Sequence, residues 1–521
     1  MKNRINNLVE KLRIKKHPGI YIFLIVMAVV YGIDMFMNKP WYDELYTYYY
    51  FVSRGPIYAA IHWPVPNNHV GYSVLSACFD IFGSSYIGLR AVSVLAALTN
   101  IVLLYYFCTQ FMNKAFSFAT VVLYNTCYLV YSLAFQGRGY TLGVTCYLVT
   151  LICLYRICLA VAKRRDYVLF PIAMIVGLYV LPSSLYWVIP TCVTGGIYML
   201  CKRRYADLRN IVLLGLLAAV CVFGLYSIIW LAIGSNLLCK DVSGAFYGMS
   251  HVSVILSAPV KAFKTGLDYM LATPYIQSIP RADAIMGLPE YFKELFDQYI
   301  FYSGIALCLC LVVLIALGCA YSYIWMYGMK SRLFAALYIA VTCLMVPLML
   351  IIQSVHPYKR VFSFFAIPLF MGIMIALYLV FEQIDSEKYK HRAEVAVLCI
   401  VLFLFIASIL SPSFRAPIAG RENDIEEVLK TINVNDIDSI YYTDDFQKYV
   451  LKFYHDVEPV ETDLETADYV MLASEYNDDS YLSADWPIIP LPNEDALQYI
   501  FENFTQIAST DKYSVWCRGG Q

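Results

Sequence analysis

Two adjacent carboxylates, Asp43 and Glu44, are the first residues in the chain whose type and placement could carry out chemistry. A carboxylate can accept the proton of an attacking hydroxyl as a new bond forms, so the pair is a candidate general base. Carboxylates directly after a long apolar run are costly if they lie near hydrocarbon. The structural alternative is a solvated loop start in which Trp41 and Tyr42 are interfacial aromatics.

Basic side chains recur in two later segments that lie beside apolar runs. Arg138 stands between two glycines in 136–140, where we expect exposed backbone and room for a ligand. The planar fork of arginine can donate twice to a phosphate. Lys359 and Arg360 form a basic pair that suits a lipid phosphate or pyrophosphate. The alternative for these cations is a side chain that snorkels to the membrane interface.

Other polar residues give weaker signals. His69 could donate to an anion, although a lone histidine is more often structural. Arg90 is explained equally well by an ion pair inside a helical bundle. The remaining supporting candidates are Arg54, His62, Asn67, Asn68, Tyr140 and His356.

Several motifs of other protein classes do not occur in the sequence. There is no Walker loop, no Cys/His spacing for a metal and no Gly-x-Ser-x-Gly elbow. An ATP-driven pump is therefore not favoured. We expect no cofactor, no resident metal and no nucleic-acid partner, although a divalent metal as an accessory stays open.

The elements that must position these residues are membrane helices. The chain is 60% apolar and 15% charged, whereas soluble chains average roughly 45–50% and about 25%. The excess lies in runs long enough to span a bilayer. We predict an α-helical polytopic membrane protein with about eleven spans, at 18–37, 86–108, 115–135, 140–161, 167–181, 184–200, 209–233, 296–326, 332–353, 361–382 and 394–411.

Basic residues predict the orientation of these spans. Clusters at 2–16, 163–165, 202–204, 330–332 and 388–392 all fall in the cytoplasm if the segment 72–82 does not cross. That segment is too short to span, so we expect it to lie along the outer surface. The N-terminus is then cytoplasmic in the cell membrane. The predicted outer segments are 38–85, 136–139, 234–295, 354–360 and the tail from 412.

The tail is predicted to be a small α/β domain. Residues 416–521 contain 22 Asp and Glu against 6 Lys and Arg, so residues 1–415 carry the opposite excess. We therefore divide the chain into a transmembrane domain, 1–415, and a soluble extracytoplasmic domain, 416–521. The expected elements are a helix at 424–432 capped by Asn423, a strand at 439–442, a helix at 446–454, a strand at 469–473 and a hairpin at 505–517.

The motifs resemble, in their order, those of the C-type glycosyltransferases. The resembling branch contains the protein O-mannosyltransferases of glycosyltransferase family 39 and the lipid A aminoarabinose transferases. The resemblance covers roughly residues 18–415. It is carried by Trp41-Tyr42-Asp43-Glu44, Asn68-His69, Phe82-Gly83-Ser84-Ser85 followed by Arg90 and Ser93, Gln136-Gly137-Arg138-Gly139-Tyr140, and Lys359-Arg360 followed by Pro368.

This resemblance implies an inverting transfer of a sugar from a polyprenyl-phosphate carrier to an acceptor hydroxyl on the outer face of the membrane. Asp43 becomes the general base, with Glu44 as its catalytic neighbour. Arg138, Lys359, Arg360 and His69 become contacts of the carrier phosphate, and their role agrees with the need for cations at a leaving phosphate. The acceptor, whether protein, lipid or glycan, is left open.

Two features depart from the family pattern, and two other functions stay open. Gln136 or Gly137 stands where many members have Glu, and Arg360 is followed by Val361 rather than Tyr. A lipid-linked glycan transporter would use the same cations, but transporters usually show internal repeats and charges at mid-membrane. A polysaccharide polymerase is the other alternative.

Overall fold

A computed structural model describes residues 18–62, 68–231, 248, 279–299, 330–415, 421–443, 445–473 and 492–519. The chain forms two compact units. The membrane unit comprises Met1–Phe36 and Arg54–Ala416, and the C-terminal unit comprises Met37–Ser53 and Pro417–Gln521. The sequence division assigned 38–53 to the transmembrane domain, whereas in the structure this segment packs with the tail.

Helices account for most of the described residues. Short 3-10 segments include Val52–Arg54, Asp80–Phe82, Pro182–Ser184 and Lys359–Phe365. The helices are α1 (Pro18–Met37), α2 (Tyr42–Tyr50), α3 (Pro56–Ile61), α4 (Val70–Phe79), α5 (Ser85–Cys108), α6 (Lys114–Asn125), α7 (Tyr128–Phe135), α8 (Tyr140–Cys158), α9 (Arg164–Val180), α10 (Leu185–Cys201), α11 (Tyr205–Leu231), α12 (Arg281–Met286), α13 (Leu288–Asp297), α14 (Lys330–Gln353), α15 (Ala366–Glu382), α16 (Glu387–Leu410), α17 (Pro412–Arg415), α18 (Arg421–Leu429), α19 (Asp445–Tyr454) and α20 (Glu494–Asn503).

Eight of the described helices are long and apolar enough to cross a membrane, and the bent pair α6 and α7 brings the number up to nine. The prediction of a polytopic helical membrane protein is confirmed. Of the eleven predicted spans, 167–181 corresponds to the 17-residue α9, and most of 296–326 lies outside the described residues. The run Val70–Phe82 is a shorter apolar helix, so its predicted inability to span agrees with the structure.

Polar side chains inside the bundle bond to neighbouring helices rather than to lipid. Tyr31 Oη donates to Asn125 Oδ1 at 2.8 Å, and Asn100 Nδ2 donates to the Thr141 carbonyl at 3.0 Å. A buried polar group in hydrocarbon is costly without such a partner. These bonds therefore fix how α1, α5, α6 and α8 pack.

The C-terminal unit contains a five-stranded sheet in the order β2-β1-β3-β5-β4. Strand β1 runs parallel to β2 and to the central strand β3, whereas β5 is antiparallel to β3 and β4. The predicted closing hairpin is the β4–β5 pair. The strands are β1 (Ser439–Tyr441), β2 (Val460–Glu461), β3 (Tyr469–Ala473), β4 (Phe504–Ser509) and β5 (Tyr513–Arg518).

One helix boundary in the tail was predicted incorrectly. The sequence placed a helix at 424–432 with Asn423 as its cap, whereas α18 runs Arg421–Leu429 and includes Asn423. The apolar side chains Ile425, Val428 and Leu429 are buried, and acidic residues in the first turn favour the earlier start. The shift places Glu422 at the beginning of a helix rather than in a linker.

Candidate functional site

His69 lies at the centre of a cluster of side chains in the membrane unit. It precedes α4 and is buried. Its Nδ1 atom lies 2.9 Å from the Gly139 amide nitrogen, and its Nε2 atom lies 3.1 Å from Arg138 Nη2. The structure thus joins the predicted histidine motif to the predicted arginine loop.

The protonation state of His69 shows that its contact with Arg138 joins two hydrogen-bond donors. Burial and the positive charges of Arg138 and Arg360 hold the pKa of His69 well below its ordinary value, so the ring is neutral. Because Nδ1 accepts from the Gly139 amide, we assign the ring proton to Nε2. Nε2 and Arg138 Nη2 are then two donors side by side. An acceptor that both can reach, such as a phosphate oxygen, would stabilise the pair.

Arg360 extends the cluster from another part of the chain. It lies in the 3-10 segment Lys359–Phe365, with its guanidinium carbon 5.8 Å from the Tyr140 ring centre. The Tyr140 ring in turn meets the His69 ring edge to face at 5.0 Å. We call His69, Arg138 and Arg360 the arginine–histidine cluster, in which two cations and one neutral ring meet.

Close packing of the segment 136–139 holds Arg138 in place. Ser93 Oγ donates to the Gln136 carbonyl at 2.5 Å. The sequence predicted that the flanking glycines leave exposed backbone and room for a ligand, and this was wrong, since both are buried. A Cβ on Gly137 would lie 2.4 Å from Leu89 Cγ, and one on Gly139 would lie 2.7 Å from Val180 Cγ1. The glycines therefore permit tight packing instead.

Asn68 orders the chain just before His69. Its Nδ2 atom donates to the carbonyls of Ala59 and His62, at 3.0 and 2.8 Å, and its Oδ1 atom accepts from Ser73 Oγ at 2.7 Å. This buried side chain ties α3 to the start of α4. His62 contributes through its backbone, and Asn67 lies outside the described residues.

Lys359 and His356 make different contacts from Arg360. Lys359 forms an ion pair with Glu294 of α13, and this hydrogen bond lowers the pKa of Glu294. His356 Nε2 lies 3.0 Å from the Ala284 carbonyl, and its ring stacks on Tyr291. Both predicted site residues thus hold α12 and α13 against the segment before α15.

The remaining predicted arginines have structural contacts. Arg90 is buried, and its Nη1 atom donates at 2.8 Å to the Met35 carbonyl in the last turn of α1. A cation there satisfies an end carbonyl and complements the helix dipole. Arg54 is exposed, and its Nη1 atom donates to Tyr58 Oη at 2.8 Å.

The acidic pair belongs to the C-terminal unit, in the first turn of α2. The carboxylate of Glu44 is buried, and its Oε2 atom accepts from the Trp41 amide at 3.3 Å, closing the N-terminal turn. Asp43 is half-buried, and its carbonyl accepts from Thr47 Oγ1 at 2.7 Å. Glu44 therefore has a capping role, while Asp43 is less buried as a residue, with its Oδ2 atom inside the fold.

Three contacts hold the α2 region on the tail fold within the C-terminal unit. The Tyr42 ring stacks on Phe446 with centres 3.4 Å apart. Lys39 Nζ pairs with Glu426 Oε1 at 2.6 Å, and Tyr454 Oη donates to the Pro40 carbonyl at 2.6 Å. Burial acts to raise the pKa of Glu426, but hydrogen bonds from Lys39 and His455 lower it below its usual value.

The tail contributes a third carboxyl that the sequence analysis missed. Glu422 of α18 is only 2% exposed. Burial raises its pKa to about 7, the charges of Glu44 and Asp43 act in the same direction, and a backbone hydrogen bond from Tyr42 opposes them. We call Asp43, Glu44 and Glu422 the carboxyl cluster. No sequence motif connects Glu422 to the acidic pair, since it lies almost 400 residues further along the chain.

Residues suited to a metal are not grouped in the described parts of the chain. No set of three His, Cys, Asp or Glu side chains there has an arrangement that could hold a metal ion. The carboxyl cluster is included in that result.

Comparisons with known proteins agree with this fold. Residues 69–230 match the family described as dolichyl-phosphate-mannose-protein mannosyltransferase. That range contains His69, Arg90, Arg138 and Tyr140, whereas Asp43 lies before it and Arg360 after it. No curated protein sequence matches the chain significantly.

Solved structures give a similar result over nearly the whole chain. ArnT from Cupriavidus metallidurans bound to undecaprenyl phosphate has a TM-score of 0.55 and 12% identity, over 96% of this chain and 99% of that one. The apo form of that protein has a TM-score of 0.55 and 11% identity, again over 96% of this chain and 99% of that one. An oligosaccharyltransferase from Archaeoglobus fulgidus has a TM-score of 0.49 and 14% identity, over 95% of this chain and 73% of that one. The chain has the fold of the C-type membrane glycosyltransferases, and the resemblance drawn from the sequence is confirmed.

Proposed function

We propose that the protein transfers a sugar from a polyprenyl-phosphate carrier to an acceptor hydroxyl at the outer face of the membrane. The arginine–histidine cluster is the observation that carries this proposal. Its two cations and the assigned Nε2 proton lie close together, and a grouping of donors of this kind suits an anion. The matched family and the undecaprenyl phosphate in the ArnT structure support a lipid-linked phosphate as that anion.

In the proposed reaction, Asp43 accepts the proton of the acceptor hydroxyl as its oxygen attacks the anomeric carbon. The bond between that carbon and the carrier phosphate oxygen breaks, and the electron pair leaves with the polyprenyl phosphate. Arg138 and Arg360 stabilise the charge that develops on this leaving group. Attack from the side opposite the phosphate inverts the anomeric configuration.

The predicted residues have different roles in the proposed function. Arg138, Arg360 and His69 bind the carrier phosphate, and Tyr140 supports the ring of His69. Lys359, which is held by Glu294, and His356, which contacts α12, act by ordering the loop beside the site. Glu44 fixes the turn that presents Asp43.

Reconstituted vesicles test this function directly. The full chain is supplied with undecaprenyl phosphate carrying radiolabelled sugars of several classes, together with a membrane extract as the source of acceptors. We expect label to move to an acceptor with release of undecaprenyl phosphate. Movement of intact donor across the bilayer without bond cleavage would instead support the transporter alternative and contradict the proposal.

A further inference from the structure

We propose that Glu422 is a positioning residue that holds a proton beside Asp43 and Glu44, and so leaves Asp43 to carry the negative charge that a general base needs. This inference rests on the proposed function for the role of Asp43. Its structural basis lies entirely within the C-terminal unit. It assigns to the tail a part in the chemistry of the acidic motif.

The geometry around Glu422 gives the first argument. Its side chain is only 2% exposed, in the first turn of α18. The stacking of Tyr42 on Phe446 and the Lys39–Glu426 ion pair hold α2 and α18 in this arrangement. Glu422 thus faces the acidic turn of α2 at a fixed position.

The second argument is the state of the carboxyl oxygens. Glu422 Oε1 is buried and has no hydrogen-bond partner among the described residues. Burying an ionised carboxylate oxygen without a hydrogen bond costs free energy. Burying a protonated carboxyl in the same place costs much less. Three neighbouring carboxyls also repel one another when all are ionised. A proton on Glu422 resolves both problems at once.

The charges on the surrounding elements leave the carboxyls as the dominant neighbours. On α18 itself, Glu426 is engaged by Lys39 and by His455, which follows α19. On β5, Arg518 donates to the carbonyls of Ala467 and Leu464. On α19, Lys448 pairs with Glu461 and Lys452 with Glu458. The charges of Asp43 and Glu44 act on Glu422.

The sign of the pH dependence follows from this arrangement. The folded chain holds a proton on Glu422 that the unfolded chain loses near the ordinary value of 4.5. The contribution of Glu422 to the free energy of unfolding is therefore greatest below that pH, and it is lost as the pH rises through about 7.

Thermal unfolding of the full chain in detergent between pH 5.5 and 8.5 tests the proposal without any substrate. We expect the melting temperature of the native protein to fall by a few degrees more than that of Glu422→Gln, which cannot ionise. Glu427→Gln removes an exposed carboxyl from the same helix, and it should follow the native curve. Parallel curves for the native protein and Glu422→Gln would overturn the proposal.

A second variant covers the case in which Glu422→Gln does not fold. Asp43→Asn removes one repelling charge, so the native pH transition should move to lower pH. An unmoved transition would overturn the proposal. If transfer is observed, its rate should depend on pH near 7 in the native protein and should lose that dependence in Glu422→Gln. Absence of transfer by the native protein counts against the proposed function, while the unfolding curves still decide the state of Glu422.

Discussion

The arginine–histidine cluster and the carboxyl cluster are built in different units, and each gathers groups that do not satisfy one another. In the membrane unit, two cations meet a neutral imidazole whose free N–H is also a donor. In the C-terminal unit, three carboxyls meet, and one of them has a raised pKa. We propose that the first arrangement binds an anion and that the second holds a proton.

This difference matches the two species that glycosyl transfer handles. A lipid phosphate leaves with negative charge, and an acceptor hydroxyl gives up a proton. Like charges grouped in a buried setting repel one another, so such groupings in both units favour a functional origin. Arg90 differs from them, because it bonds to the Met35 carbonyl in the last turn of α1.

Among substitutions in the membrane unit, Arg138→Gln should have the largest effect on transfer and on phosphate binding. Removing one donor to the developing charge should lower the transfer rate by about 100-fold and weaken binding of undecaprenyl phosphate. Arg392→Gln, which removes an exposed arginine, is the matched control. Equal binding by the two variants would exclude Arg138 from the phosphate site.

Gly137→Ala tests whether packing of the segment 136–139 is what holds the cluster together. The new Cβ would lie 2.4 Å from Leu89 Cγ, and we expect about 1–3 kcal/mol of destabilisation. Gly143→Ala is the control, because its Cβ would meet its nearest neighbour at 3.9 Å. Thermal unfolding in detergent measures both, and similar losses would disprove the packing argument.

His69→Gln should change how stability depends on acid. The unfolded histidine takes up a proton near pH 6.5, whereas the folded ring resists protonation. The neutral His69 ring therefore contributes to the free energy of unfolding above pH 6.5, and this contribution is lost as the pH falls. The variant should show a smaller loss between pH 6.5 and 5 than the native protein. His391→Gln, at an exposed position, should keep the native slope; a native slope in His69→Gln would refute the neutral ring.

Lys359→Gln should have the smallest effect. Its ion pair with Glu294 is partly exposed, and such pairs contribute little because water screens them. We expect binding of undecaprenyl phosphate to weaken by less than about fivefold. A loss as large as that of Arg138→Gln would show that Lys359 binds the phosphate directly and would erase the distinction drawn between the two cations.

Much of the membrane unit could be predicted from the sequence because apolar length and basic loops are local signals. The joining of His69 to Arg138 was expected only in outline, since both were assigned to the outer face. The tight packing of Gly137 and Gly139 could not be predicted, because the side chains that press on them come from α5 and α9. Glycine between polar residues has the same appearance in a buried turn and in an open loop.

The carboxyl cluster was harder to predict for a different reason. Asp43 and Glu44 are adjacent in sequence, but the position of Glu422 depends on the docking of α2 against the tail fold. The misplaced start of α18 also hid it, since the predicted helix began at 424. An acidic tail supplies many carboxylates, and the sequence offers no signal that distinguishes the buried one.

Sugar transfer by Asp43→Asn is the most direct test of the account. The assay compares initial rates of labelled-sugar transfer in vesicles for the native protein, Asp43→Asn and the exposed control Asp511→Asn. Loss of the general base should slow transfer by about 10²–10⁴-fold, with undecaprenyl phosphate still bound and the control unaffected. Near-native transfer by a folded Asp43→Asn protein would contradict the assignment of Asp43 as the base.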